Sequence, residues 1–107
     1  LDVVADAVIA LDSEGRVIFL NTAAEHLCGR ERYDADGHVL DEVLPPLVDH
    51  QGTSAGSWGR LLAEGLAERT VSLRTGDGTR VVRCVVTPTS GVGNRSASTV
   101  VMLHDLT

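Results

Sequence analysis

The 107-residue chain has no lysine: its nine basic residues are all arginine, set against fifteen acids for a net charge of −6. An acidic chain with no basic cluster is not built to bind nucleic acid or to lie directly on an anionic membrane. Aromatic residues make up 3% of the chain, so any core or pocket must be largely aliphatic. The only cysteines, Cys28 and Cys84, stand far apart and read as free thiols, small hydrophobes of a core in a reducing, cytoplasmic setting, rather than as a staple. No apolar run approaches the ~18 residues that a membrane-spanning helix needs. Hydrophobic residues at 43% and charged residues at 22% exclude a disordered chain and fit one folded domain. The chain opens at Leu1 with no signal peptide and reads as a piece of something longer. The bias toward Arg, Ala, Gly and Val over Lys, Ile and Asn is what GC-rich coding gives.

What is present is ordered by its periodicity. Leu1, Val4 and Ala5 make one apolar turn of helix, the remnant of an N-terminal linker helix over residues 1–5. Ala7–Leu11 and Arg16–Leu20 are apolar runs on either side of Asp12-Ser13-Glu14-Gly15, which predicts a β-hairpin closed by Gly15. Asn21 follows at once and can cap a helix, and Thr22 with Glu25 offers a capping box one residue later. Ala24, Leu27 and Cys28 share a face, and Gly29 stands where a helix C-cap belongs.

Residues 30–56 are irregular, with one helical turn around Val39, Leu40, Val43 and Leu44 that ends at Pro45-Pro46. A second helix starts near Ser57 and carries Trp58, Leu61, Leu62 and Leu66 as a stripe toward Glu68. From Arg69 the period becomes two. Strands are predicted at Thr70–Thr75, Arg80–Thr87 and Ser98–Leu106, with a turn at Gly76-Asp77-Gly78 and a loop over 89–96. Strands split by a helical block predict an α+β fold, an antiparallel sheet with helices on one face.

Taken together, these segments resemble the PAS family across nearly the whole chain, 1–107. Asp6–Gly29, "DAVIALDSEGRVIFLNTAAEHLCG", looks like the first hairpin and first helix of a PAS domain. "GTRVVRCVVTP" (Gly78–Pro88) is similar to its fourth strand. "HDLT" (His104–Thr107) resembles the D-[IL]-T terminus of many bacterial PAS domains. The resemblance implies a five-stranded antiparallel sheet with short helices packed on one face. It also implies a non-catalytic sensory input domain of a multidomain bacterial signalling protein, two-component systems included. Such a domain binds a small molecule between helices and sheet. It relays its state to a covalently attached histidine kinase, cyclase, phosphatase or transcription regulator. A PAS domain that binds nothing and serves as a homodimerisation or protein-interaction module is the alternative.

His26, His38, His50 and His104 share no i, i+3 or i+4 spacing with one another or with a cysteine, and so do not read as a metal site. Haem-binding PAS domains carry the axial histidine on the long helix before the third strand. The corresponding stretch here, Ser57–Glu68, has none, which argues against haem. Flavin photosensors of the family carry an N-C-R-F-L-Q stretch where this chain reads "HLCGRERY", which argues against flavin. Asp34 with Asp36, and Asp41 with Glu42, read as solvated loop acids, and Gly76-Asp77-Gly78 and Gly91-Val92-Gly93 as turns rather than phosphate cradles.

The expected pocket is aliphatic, lined by Leu61, Leu62, Val71, Leu73, Val101 and Leu103, and suits a small organic ligand with one polar end. Trp58 either anchors its helix to the sheet or forms a pocket wall. Arg83 supplies a polar contact if it points inward and is otherwise a surface residue. Asp105, Leu106 and Thr107 are expected to be the signal junction to a C-terminal output helix. In that role Asp105 pairs with an arginine of the sheet, Leu106 pins the junction by burial, and the Thr107 hydroxyl caps the following helix.

Overall fold

The alternation of Ala7–Leu11 sends Ala7, Ile9 and Leu11 to one face, where they are buried, and this strand (β1) pairs antiparallel with β2, Val17–Leu20. In the computed structural model, which describes residues 6–49, 51–65, 67–76, 78–89 and 98–106, the turn between them is set by Asp12. Its Oδ1 accepts from the N–H groups of Glu14 and Arg16, at 2.8 and 3.0 Å. Gly15 closes the turn at φ 77°, a left-handed conformation that costs glycine little. A bulge between Ala10 and Leu11 shifts the register, so that Val17 and Leu20 both face the core.

Asn21 ties this hairpin to helix α1, Thr22–Cys28. Its Oδ1 accepts from the Ala24 N–H at 2.9 Å, which is the helix cap, and from the Val8 N–H at 3.0 Å, while its Nδ2 donates to the Asp6 carbonyl at 2.9 Å. The expected Thr22–Glu25 capping box does not form, because Asn21 already holds the N-cap and the Glu25 carboxylate instead accepts from the Arg32 N–H. Gly29 ends α1 in the left-handed conformation, at φ 67°. Two single-turn helices follow, α2 (Arg32–Ala35) and α3 (Leu40–Val43), and each buries its apolar side. Helix α4, Trp58–Ala63, is capped by the Ser57 hydroxyl, and Asp41 adds a second cap by accepting from the Trp58 and Gly59 N–H groups at 2.6 and 3.1 Å. It stops well short of Glu68: Gly65 takes φ 73°, and Glu68 already belongs to the next strand.

The remaining strands are β3 (Leu47–Val48), β4 (Glu68–Thr75), β5 (Gly78–Pro88) and β6 (Thr99–Asp105), and the sheet runs β2-β1-β6-β5-β4-β3 with every pairing antiparallel. It thus has six strands rather than the expected five. The sixth is the two-residue β3 just after Pro45-Pro46, which pairs Leu47 with Leu73 and Val48 with Ser72; a two-residue strand leaves no periodicity to read. Ile9, Leu11, Leu73, Val82, Cys84, Val101 and Leu103 line the sheet's inner face and pack against Ala24, Leu40, Val43, Trp58 and Leu61 from the helices. The expected N-terminal turn, Leu66, most of the 89–96 loop and Thr107 lie outside the described residues.

Candidate functional site

A cleft of about 720 Å³ lies between α1 and the inner face of the sheet at the ends of β5 and β6. Ala7, Val82 and Leu103 form an apolar floor, and Ala23, Leu27 and Cys28 of α1 form the facing wall. The rim is polar: His26, Thr75, Arg74, Arg80 and Asp105. Arg80 reaches this face by simple alternation. On β5 the inward positions are Val82, Cys84 and Val86, and Arg80 is the next in the same phase. In the β5–β6 register Asp105 lies opposite Val82, and its Oδ2 accepts from Arg80 Nη1 at 2.8 Å. Arg74 borders the cleft from β4, and its guanidinium donates to the Gly52 carbonyl.

The expected pocket residues are dispersed rather than gathered around one cleft. Leu103 lines the α1 cleft. Leu61 and Val71 share a smaller cleft between α4 and β4, and Leu62 lines another near Leu40 and Val86. Leu73 and Val101 are packed in the core with no exposure. Trp58 anchors α4: it is 1% exposed and its Nε1 donates to the Pro45 carbonyl at 3.0 Å. Arg83 lies on the outer face, half exposed, 3.9 Å from Glu68. It stands three positions after Arg80, an odd step along the strand, so the two arginines point to opposite faces. At the end of β6, Asp105 has an arginine partner, Arg80. Leu106 departs from expectation: the residue is 43% exposed, and its N–H donates to the Val81 carbonyl at 2.8 Å.

Burial pushes the thiols of Cys28 and Cys84 up to about 11, with Arg30 partly opposing the rise at Cys28. Both are protonated at neutral pH and poor nucleophiles. Cys28 lies in the stretch that departs from the flavin-photosensor pattern. Among the described residues no three of His, Cys, Asp or Glu converge to hold a metal ion, and no helix is long and apolar enough to cross a membrane.

Comparison with known proteins places this geometry. The chain is similar to the LOV domain of the blue-light activated histidine kinase of Erythrobacter litoralis EL346, with 16% identity over 94% of this chain and 95% of that one and a TM-score of 0.65. It is also similar to the PAS domain of a protein from Colwellia psychrerythraea, with 17% identity over 94% and 86% of the two chains and a TM-score of 0.62. At such identities the likeness bears on the fold. Activation by blue light is a property of that kinase. No curated protein matches the chain. The family model described as PAS fold matches residues 1–107, and the chain belongs to the PAS family.

Proposed function

We propose that this domain is a sensory input module of a multidomain signalling protein, that it binds a small organic molecule in the α1 cleft, and that it relays the bound state through Asp105-Leu106-Thr107 to an attached effector. The observation that carries this reading is the placement of Asp105. One side chain belongs both to the rim of the cleft and to the last turn of chain leaving β6. A ligand that prefers one arrangement of Arg80 and Asp105 shifts the population of junction conformations by its differential affinity for them. The domain itself performs no catalysis in this reading, and the effector is of the kinase, cyclase, phosphatase or transcription-regulator kind. Native mass spectrometry of protein purified from cells tests it. A stoichiometric small-molecule adduct supports the reading, and a bare chain under conditions that preserve weak complexes counts against it.

The outer face of the sheet favours a second reading, a homodimerisation module. Val8, Ala10, Val85, Val100 and Met102 form a half-buried apolar strip there, beside the exposed Phe19 and Val81. Sedimentation at high concentration separates the readings. A monomer throughout removes the dimerisation role for these 107 residues.

A further inference from the structure

The rim of the α1 cleft reverses the charge of the molecule around it. In a chain of net charge −6, it is bordered by two arginines, Arg74 and Arg80, against one acid, Asp105. Arg80 is the informative residue. It is a cation on the inner, helix-covered face of a sheet, where its neighbours in phase are Val82, Cys84 and Val86. A guanidinium in that place needs an anionic partner, and the fold supplies a carboxylate from the adjacent strand at 2.8 Å. Asp105 thereby displays the group that the cleft is shaped to hold, a carboxylate at Arg80 with an apolar floor of Ala7, Val82 and Leu103 beside it. Neither member of the pair is sealed in, with side-chain exposures of 38% and 26%. A solute carboxylate can therefore reach the guanidinium from the open side.

We propose that the cleft takes a small organic monocarboxylate whose anionic group binds Arg80 by displacing Asp105, its carbon body lying on the apolar floor against Ala23 and Leu27. The proposal rests on the reading of this cleft as the ligand site and names the ligand class. Two carboxylates compete for the fork because their like charges repel at close range. Phosphate meets the charge requirement but has no carbon body to cover the floor. Displacement also says how binding is reported. The Asp105 side chain is released from Arg80 one residue before Leu106, whose N–H is held by the Val81 carbonyl, so an occupied cleft removes one side-chain tie at the end of β6.

The test is an NMR titration of the 107-residue chain with phenylacetate and isovalerate, each paired with its neutral amide. The acids should shift the amide signals of Ala23, Leu27, Val82 and Leu106, with the amides weaker by about tenfold, the scale of one charge-assisted contact. Arg80→Gln should erase the preference for acid over amide. Asp105→Asn, which removes the competitor, should tighten the acids by about threefold or more and leave the amides unchanged. Should Arg80→Gln not fold, the Asp105→Asn comparison decides alone. Acid affinity that is unchanged or weaker in Asp105→Asn overturns the displacement. Acids and amides binding equally to the wild type overturn the carboxylate class while leaving the cleft as a ligand site. Failure of every probe, inorganic phosphate included, to move any cleft signal overturns both.

Discussion

Replacing Asn21 with alanine should cost far more than the loss of one helix cap. Asn21 Oδ1 serves two backbone donors, Ala24 N–H and Val8 N–H, and Nδ2 serves the Asp6 carbonyl. Removing the cap costs about 1 kcal/mol. The Val8 N–H, half-buried in the central strand β1, then lacks its acceptor at a cost of about 1–2 kcal/mol, and the lost bond to Asp6 adds about 0.5–1 kcal/mol. The sum, about 2–4 kcal/mol, should lower the urea midpoint by about 1–2 M for a domain of this size. Asn21→Asp keeps both acceptor contacts and places a negative charge at a helix N-terminus, but loses the donor to Asp6, so it should cost about 1 kcal/mol. Equilibrium urea unfolding of the two variants, with hydrogen exchange read at the Val8 amide, measures this. If Asn21→Ala loses less than Asn21→Asp, or if Val8 exchange is unchanged in the alanine variant, the side chain is not the tie between hairpin and helix.

Three further outcomes follow from local geometry. Burial raises both thiols from 9.0 to about 11, so the unfolded chain loses these protons first; stability is full below pH 9 and falls between pH 9 and 11. The buried Cys84 contributes up to about 2–3 kcal/mol of that fall and the partly exposed Cys28 less. With no lysine to titrate in the same window, denaturation curves of wild type and Cys84→Ala should diverge there, and parallel curves would contradict the assignment. Gly29→Ala meets no atom within 4 Å, so only the left-handed backbone at φ 67° resists it; it should cost about 1–2 kcal/mol, and Gly29→Asn less, as read by thermal melts. Asp41→Ala removes both acceptors at the start of α4 and should cost about 1–2 kcal/mol, with Asp41→Asn recovering part of it; a loss no greater than at an exposed acid such as Asp34 of α2 would show that the second cap is idle.

The hairpin, α1 with its Asn21 and Gly29 caps, and the three long strands were legible because each is fixed by local chemistry: alternation, a capping side chain, a left-handed glycine. What was not legible depends on distant partners. The two residues of β3 become a strand only because β4 lies beside them, and α4 ends where Gly65 turns rather than where its apolar stripe runs out. At the candidate site, the same alternation that fixed the strands also held the answer about the arginines. Arg80 is in phase with Val82 and Cys84, and Arg83 is not. The contribution of α1 to the cleft could not be read, because a short helix buries Ala24 and presents Ala23, Leu27 and Cys28 to the cleft only once its crossing over β1 is known.

The adjacency of β1 and β6 has a mechanical meaning. Ala7 pairs with Leu103 inside the sheet, and Asp6 Oδ1 lies 2.6 Å from His104 Nδ1, so the start of β1 and the end of β6 meet at one point. With β2 on one side and β5 on the other, neither strand can slide, since a slip of one residue would turn its buried side chains to solvent. Motion at this point is therefore confined to tilting and to fraying of the last residue or two. A twist delivered at residue 6 and one delivered at residue 105 load the same few hydrogen bonds, as two cranks on a single short axle.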